Sequence, residues 1–101
     1  MVEKLIRETH RRLMRRFKVN VRAFRCAMNL TVEDAAARAH VPLRSWQNIE
    51  AGEVNATLSK ITQIANALGV DPQHLFLPRS SRERKNLLRE ARLHAAKTRK
   101  R

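Results

Sequence analysis

Between Leu43 and Asn48 the chain carries four side chains of the types that read DNA bases, at helical spacing. Leu43 and Gln47 form one i,i+4 pair, and Arg44 and Asn48 form a second, so all four share one face of a helix. Arginine can bind guanine through two hydrogen bonds, asparagine and glutamine can bind adenine, and leucine can contact the thymine methyl group. This face is a candidate reader of base edges in a major groove.

The other face of the same segment is apolar. Trp46 and Ile49 are expected to be buried. We expect Trp46 to belong to the core, because stacking on nucleic acid requires interleaved exposed aromatics and the chain has one Trp, three Phe and no Tyr. Pro42 suits the first turn of this helix, and Gly52 supplies a left-handed stop.

Neighbouring helices are predicted by their start and stop signals. Thr31 and Asp34 have the spacing of a capping box. The helix Val32–Ala39 that follows is rich in alanine, which lets another helix approach closely. Further helices are expected to begin at Thr57, to end at Gly69, and to begin again at Asp71-Pro72 before Pro78.

Residues 2–17 are expected to form a basic amphipathic helix. Its apolar stripe is Val2, Leu5, Ile6, Leu13, Met14 and Phe17. This helix would dock on the core, pair with a second subunit or become ordered on DNA, and a frayed basic arm is the alternative. A second helical pattern runs from Asn20 to Asn29, and it either begins with Asn20 as its N-cap or continues the preceding helix.

Beyond Pro78 a stretch of helix formers runs from Arg82 to Ala96. Its apolar stripe is narrow and consists of Leu87, Leu88, Ala91 and Ala95. We expect so thin a stripe to be held weakly by burial, which predicts a projecting helix or a flexible phosphate-binding arm.

The basic charge lies in the two flanks. Residues 1–22 hold eight basic and two acidic side chains, residues 23–78 hold four and five, and residues 79–101 hold ten and two. The segments therefore carry +6, −1 and +8 of the total charge of +13. A near-neutral middle between cationic flanks is typical of a protein that binds a polyanion, because each neutralised phosphate releases counterions. The alternative is that the flanks only confer solubility.

Several function classes are disfavoured by what the sequence contains. Cys26 is the one cysteine, and it has no CxxC spacing. The four histidines stand 20 to 34 residues apart, without the pattern of a metal centre or a catalytic triad. We therefore expect a non-enzymatic protein with no cofactor and no bound metal. No apolar run approaches a membrane span, and no signal peptide follows the basic amino terminus, which predicts a soluble cytoplasmic protein.

Four motifs, taken together, resemble the Cro and phage-repressor family of helix-turn-helix domains. They are Phe24-Arg25, Leu30-Thr31-x-Glu33-Asp34-x-Ala36, Ile49-Glu50-x-Gly52-Glu53 and Ile64-Ala65-x-Ala67-Leu68-Gly69-Val70. The resemblance covers residues 17–77. It implies an all-α, five-helix, lambda-repressor-like domain, with Val32–Ala39 as scaffold helix and Pro42–Glu50 as recognition helix. We divide the chain into a basic extension (1–16), the helix-turn-helix domain (17–78) and a basic tail (79–101).

The resemblance also implies roles for individual residues. Base contacts are expected from Leu43, Arg44, Gln47 and Asn48, phosphate contacts from Thr31, Ser45 and Asn55, and a structural ion pair from Arg25 and Glu50. For the ion pair, exposure of both side chains to water is the alternative. Two positions depart from the family pattern: Val32 stands where glutamine is common, and His40 stands in the turn where glycine is usual.

The leading hypothesis is a sequence-specific transcriptional regulator of bacterial or phage type that binds double-stranded DNA at the nucleoid as a homodimer. Three surfaces are candidates for the dimer interface: the amino-terminal stripe, the Leu75-Phe76-Leu77 helix and the Leu87/Leu88 helix. The alternative is an antitoxin or adaptor that binds a protein partner as well as DNA. RNA binding through the flanks is a third hypothesis, disfavoured by the few aromatic residues.

Overall fold

The computed structural model describes residues 1–52 and 55–99, and this part of the chain is helical with no β-strand. Its elements are α1 (Val2–Ala27), α2 (Val32–Ala39), α3 (Leu43–Ala51), α4 (Leu58–Ala67), a 3-10 helix (Pro72–Phe76) and α5 (Arg82–Arg99). The prediction of an all-α, five-helix fold is confirmed. Glu53 of the third motif, Lys100 and Arg101 lie outside the described residues.

α1 is one unbroken helix of 26 residues. It crosses the predicted boundary at residue 17 without interruption, so Asn20 is not an N-cap and that alternative is wrong. Phe17, Val21 and Phe24 follow one another at spacings of three and four, and all three are buried in the core. Towards the amino terminus, the apolar stripe of α1 is solvent-exposed at Val2, Leu5 and Ile6.

The predicted caps are present at α2 and α4. The Thr31 hydroxyl accepts a hydrogen bond from the Asp34 N–H at 3.0 Å, and the Asp34 carboxylate accepts one from the Thr31 N–H at 3.3 Å. At α4 the Thr57 hydroxyl accepts from the Lys60 N–H at 3.1 Å. Each side chain satisfies a backbone donor that the helix itself leaves without a partner.

Asn20 holds the carboxyl-terminal part of the chain against α1. Its side chain is 1% exposed, and its Nδ2 donates to the carbonyl oxygens of Leu75 and Leu77, both at 2.9 Å. Its Oδ1 accepts a hydrogen bond from Arg84 Nε at 2.6 Å. Since Asn20 can use two donors and one acceptor at once, one buried amide joins α1, the 3-10 helix and α5.

Burial lowers the pKa of Arg84, and the nearby charges of Arg79 and Arg92 lower it further. The Arg84 side chain is buried with the Asn20 amide oxygen as its acceptor. A guanidinium remains charged even so, because its pKa lies far above neutrality. The hydrogen bond to Asn20 thus offsets part of the cost of taking this charge out of water.

The expectation that the carboxyl-terminal tail projects from the domain is wrong for α5. Leu88 belongs to the core at 6% exposure, Ala95 is buried, and Leu87 and Ala91 pack against the core. The stripe is narrow, but it begins at Leu87, three residues after Arg84, and the hydrogen bond of Arg84 to Asn20 fixes the start of α5 against α1. A weakly apolar helix needs less burial to stay in place when one end is already anchored.

The Asn20 hydrogen bonds predict a large loss of stability on truncation. Replacing Asn20 with Ala removes both donors and the acceptor of Arg84, leaving buried polar groups without partners, so we expect a loss of about 2–3 kcal/mol in the free energy of unfolding. Urea denaturation followed by circular dichroism measures it. Asn66→Ala on the exposed face of α4 is the matched control, and equal losses in the two variants would contradict this role for Asn20.

Candidate nucleic-acid interface

α3 is held with one face towards the core and the other towards solvent. Trp46 and Ile49 are 0% and 2% exposed, as predicted from their spacing. Leu43, Arg44 and Gln47 are exposed, and Asn48 is half-buried beside them. The structure thus places all four predicted base-contacting residues along one outward side of a single helix.

The turn before α3 uses a left-handed histidine. His40 has φ 58° and ψ 40° and forms the C-cap of α2. Its backbone N–H donates to the Ala37 carbonyl at 3.2 Å, and the next N–H, of Val41, donates to the Ala36 carbonyl at 3.1 Å. These bonds satisfy carbonyl groups at the end of α2, as in helices that end at a left-handed glycine. A histidine side chain in the left-handed backbone region adds a modest steric cost. Pro42 is the N-cap of α3, one position before the predicted first turn.

The end of α3 is joined to α1 by an ion pair. Arg25 Nε donates to Glu50 Oε2 at 2.6 Å, and Arg25 Nη2 donates to Glu50 Oε1 at 2.9 Å. Both side chains are 13% exposed, so the pair is mostly removed from water, and the alternative of two water-facing charges does not apply. The hydrogen bond with Glu50 raises the pKa of Arg25, against the opposing effect of burial.

Two further hydrogen bonds complete this network, and sequence reasoning missed both. Trp46 Nε1 donates to Glu50 Oε2 at 2.6 Å, and Arg25 Nη1 donates to the Leu30 carbonyl at 2.9 Å. The i,i+4 spacing of Trp46 and Glu50 on one helix was the available signal for the first bond. The bond within α3 orients the Glu50 carboxylate, and the bonds from Arg25 on α1 fix the rotation of α3 about its axis.

The three residues predicted to bind phosphate lie in different local settings. Thr31 is exposed at the start of α2, where its hydroxyl is already engaged in the capping box. Ser45 is half-buried on α3, and Asn55 is exposed after the end of α3. Val32, which replaces the usual glutamine, packs partly buried against the core.

A contact between Asn55 and α1 was not expected from the sequence. His10 Nε2 and Asn55 Oδ1 are 2.7 Å apart, and because an amide oxygen only accepts, the histidine nitrogen is the donor. No signal in the sequence could have paired these residues, since they are 45 positions apart and meet only through the packing of α1 beside α3.

In the described residues 1–52 and 55–99, no group of three or more His, Cys, Asp or Glu side chains is placed to hold a metal ion. Over the same ranges, no helix combines the length and the apolar character needed to cross a bilayer.

A helix-turn-helix family model matches residues 21–75, which is more than half of the chain and includes all of α2, α3 and α4. Neither a curated protein nor a solved structure shows significant similarity to the chain.

The Arg25–Glu50 pair predicts unequal effects of removing its two partners. Arg25→Met leaves the largely buried Glu50 carboxylate with the Trp46 indole as its donor, so we expect a loss of about 3 kcal/mol in the free energy of unfolding, at the low end for breaking a buried pair. Glu50→Gln keeps an acceptor for Arg25 or Trp46 and should cost about 1 kcal/mol.

Chemical denaturation of each variant at neutral pH provides the test. Arg22→Met is the matched control, because Arg22 is an exposed arginine on the same helix and exposed substitutions usually change stability by less than about 0.5 kcal/mol. If Arg25→Met proved no more destabilising than Arg22→Met, the pair would not contribute to stability.

Proposed function

Because the chain belongs to the Cro/C1-type helix-turn-helix family of DNA-binding transcription regulators, we propose that it binds double-stranded DNA sequence-specifically with α3 in the major groove. One observation carries the proposal. The face of α3 that bears Arg44 and Gln47 is exposed, while the Glu50 end of the helix is tied to α1. A base-reading helix must present its side chains in one fixed orientation, and this arrangement meets that requirement.

Within this proposal the side chains of α3 have different tasks. Arg44 is suited to two hydrogen bonds with guanine, and Gln47 to adenine. Leu43 is 40% exposed, which leaves apolar surface available to a thymine methyl group. Asn48 is half-buried, so it reaches only a base edge that comes close to the helix.

Phosphate contacts from Thr31, Ser45 and Asn55 would set the orientation of the domain on the duplex without reading sequence. The Thr31 hydroxyl accepts the bond from Asp34 N–H and can still donate its own hydrogen to a phosphate oxygen. The charges of +6 and +8 in the two flanks would add attraction to any DNA, and this attraction weakens as salt rises.

The proposed regulator acts as a homodimer on a two-fold operator, since a single domain contacts too few base pairs for useful specificity. Of the three candidate interfaces, two are occupied within the described chain, because Leu75 and Leu88 are buried in the core. The stripe on α1 is open: Leu5, Ile6 and Leu13 are 59%, 62% and 39% exposed. We therefore assign the dimer interface to α1.

An antiparallel pair of α1 helices would give a suitable spacing between recognition helices. The end of α3 lies beside the part of α1 between Lys18 and Arg25. If Ile6 of each copy faces Leu13 of the other, the two-fold axis passes between residues 9 and 10. At 1.5 Å per residue, this axis lies about 18 Å along α1 from the middle of the part that contacts the end of α3. The two copies of α3 would then lie about 36 Å apart, close to one turn of DNA.

Base reading by Arg44 predicts a sequence-dependent loss of affinity. Arg44→Ala should weaken binding to the preferred duplex by about 1–3 kcal/mol and relax the preference at one base pair, because the hydrogen bonds that it removes are to a base edge. The preferred duplex is obtained by selection from a randomised library, and fluorescence anisotropy then compares it with a scrambled duplex of equal length.

The matched control for this test is Arg38→Ala, which removes the same charge from an exposed position on α2. We expect this variant to affect the two duplexes alike. The assignment of Arg44 as a base reader would fail if Arg44→Ala weakened binding to the preferred and the scrambled duplex equally.

The α1 interface predicts a monomer when its apolar stripe is made polar. Ile6→Ser/Leu13→Ser should weaken self-association at least tenfold, since two exposed apolar side chains per copy lose their burial. Sedimentation equilibrium measures the dimer constant. Leu93→Ser, at an exposed leucine of α5 that is 57% exposed, is the control. A dimer of unchanged affinity in the double variant would contradict the α1 interface.

A further inference from the structure

A groove lies between the amino-terminal half of α1 and the segment that follows α3. Its volume is about 630 Å³. The lining residues on α1 are Ile6, Arg7, His10, Arg11 and Met14, and those after α3 are Gly52 and Asn55. The described lining is therefore cationic and apolar on the α1 side, and it carries the polar amide of Asn55 on the other side.

Two independent contacts place this groove on the same side of α1 as the recognition helix. A methyl group built on Gly52 would lie 2.8 Å from Lys18 Cδ, so the Lys18 side chain covers the end of α3. His10 reaches Asn55 at 2.7 Å. Arg7, Arg11, Lys18 and Arg25 repeat at intervals of four and seven residues, which places them in one row along this edge of the helix.

Arg7 and Arg11 are both exposed, and no hydrogen bond or ion pair engages either guanidinium within the described chain. Two unpaired guanidinium groups one turn apart form a site of positive potential that suits a phosphate diester. The hydrogen bond from His10 occupies the Asn55 amide oxygen, which leaves the Asn55 NH₂ group available as a donor.

We propose that Arg7 and Arg11 of α1, together with the Asn55 amide, bind the DNA backbone at a phosphate site separate from the bases read by α3. This inference rests on the proposed function and extends it to the amino-terminal half of α1. From Lys18 to Arg7 the helix spans about 16 Å. At a rise of about 3.4 Å per nucleotide along one strand, the site meets the backbone about five steps beyond the end of α3.

The arginines on the other side of α1 supply a charge-matched control. Arg12 and Arg15 are also exposed, but they line a different cleft with Leu77 and Arg79. The variants Arg7→Gln/Arg11→Gln and Arg12→Gln/Arg15→Gln each remove two positive charges from the same helix, and glutamine is close to arginine in helix propensity. Because both double variants remove the same net charge, a difference in their salt dependence shows that one face of α1 matters more than the other.

The experiment titrates the full chain against the selected duplex and a scrambled duplex at a series of salt concentrations. The slope of log K against log salt changes by about 0.9 for each phosphate that the protein no longer neutralises. We expect Arg7→Gln/Arg11→Gln to reduce the slope by about 2 on both duplexes, with the ratio of the two affinities unchanged within about twofold. Arg12→Gln/Arg15→Gln should change the slope by less than half as much.

Equal slope changes in the two double variants would overturn the site, because the charge of α1 would then act without a preferred face. A wild-type chain that binds both duplexes equally would instead overturn sequence-specific binding by α3. In that case the comparison of slopes would still test the phosphate site in the groove, since backbone contacts form on either duplex. A chain that binds no duplex would overturn both.

Asn55 provides a second test that leaves the arginines in place. Asn55→Asp introduces a carboxylate into the groove, which repels phosphate, so affinity for both duplexes should fall at least tenfold. Asn66→Asp makes the same change at an exposed position of α4 and should have less than a third of that effect. Equal losses in these two variants would overturn the part assigned to Asn55, and circular dichroism establishes that each variant keeps its helical content.

Discussion

The bond between Arg25 and Glu50 is the constraint on which the presentation of the recognition helix depends. α3 spans only Leu43–Ala51, and a helix of that length has little stability of its own in water. Burial of Trp46 and Ile49 holds it on the core, but apolar contacts are non-directional and leave some freedom of rotation. Glu50 removes that freedom, because its carboxylate is oriented by the Trp46 indole of the same helix and accepts hydrogen bonds from Arg25 on α1.

α1 connects the separate parts of the molecule through different sides of one long helix. Asn20 binds the carbonyl groups of the 3-10 helix and the guanidinium of Arg84, while Arg25 binds the end of α3. Asn20 and Arg25 therefore make their polar contacts with different elements. Phe24, which stands between them in the sequence, is fully buried in the core. The position of α3 is therefore set relative to α5 by a single rigid element.

The distribution of charge separates attraction to DNA from the choice of a site. The basic flanks carry all of the excess positive charge, and the helix proposed to read bases contributes one arginine, Arg44. Long-range attraction falls with salt and is the same for every sequence, whereas hydrogen bonds to base edges differ between sequences. Cationic side chains along α1, beside the end of α3, would bind the DNA backbone without adding charge to the exposed face of α3.

The parts of this protein that follow from its sequence alone are those governed by neighbouring residues. The capping box of Thr31 and Asp34, the stop at Gly52 and the two faces of α3 depend on side chains within a few positions of one another, so helical geometry was enough to predict them. The family motifs extended this to the Arg25–Glu50 pair, 25 positions apart.

Tertiary structure alone decided the contacts between distant segments. The Asn20–Arg84 bond spans 64 positions and the His10–Asn55 contact spans 45, and neither has a local pattern. The thin stripe of α5 suggested a projecting tail because its burial, taken alone, is small. The helix lies on the core because Arg84 anchors its beginning to a buried amide, and that partner exists only once α1, the 3-10 helix and α5 have packed together.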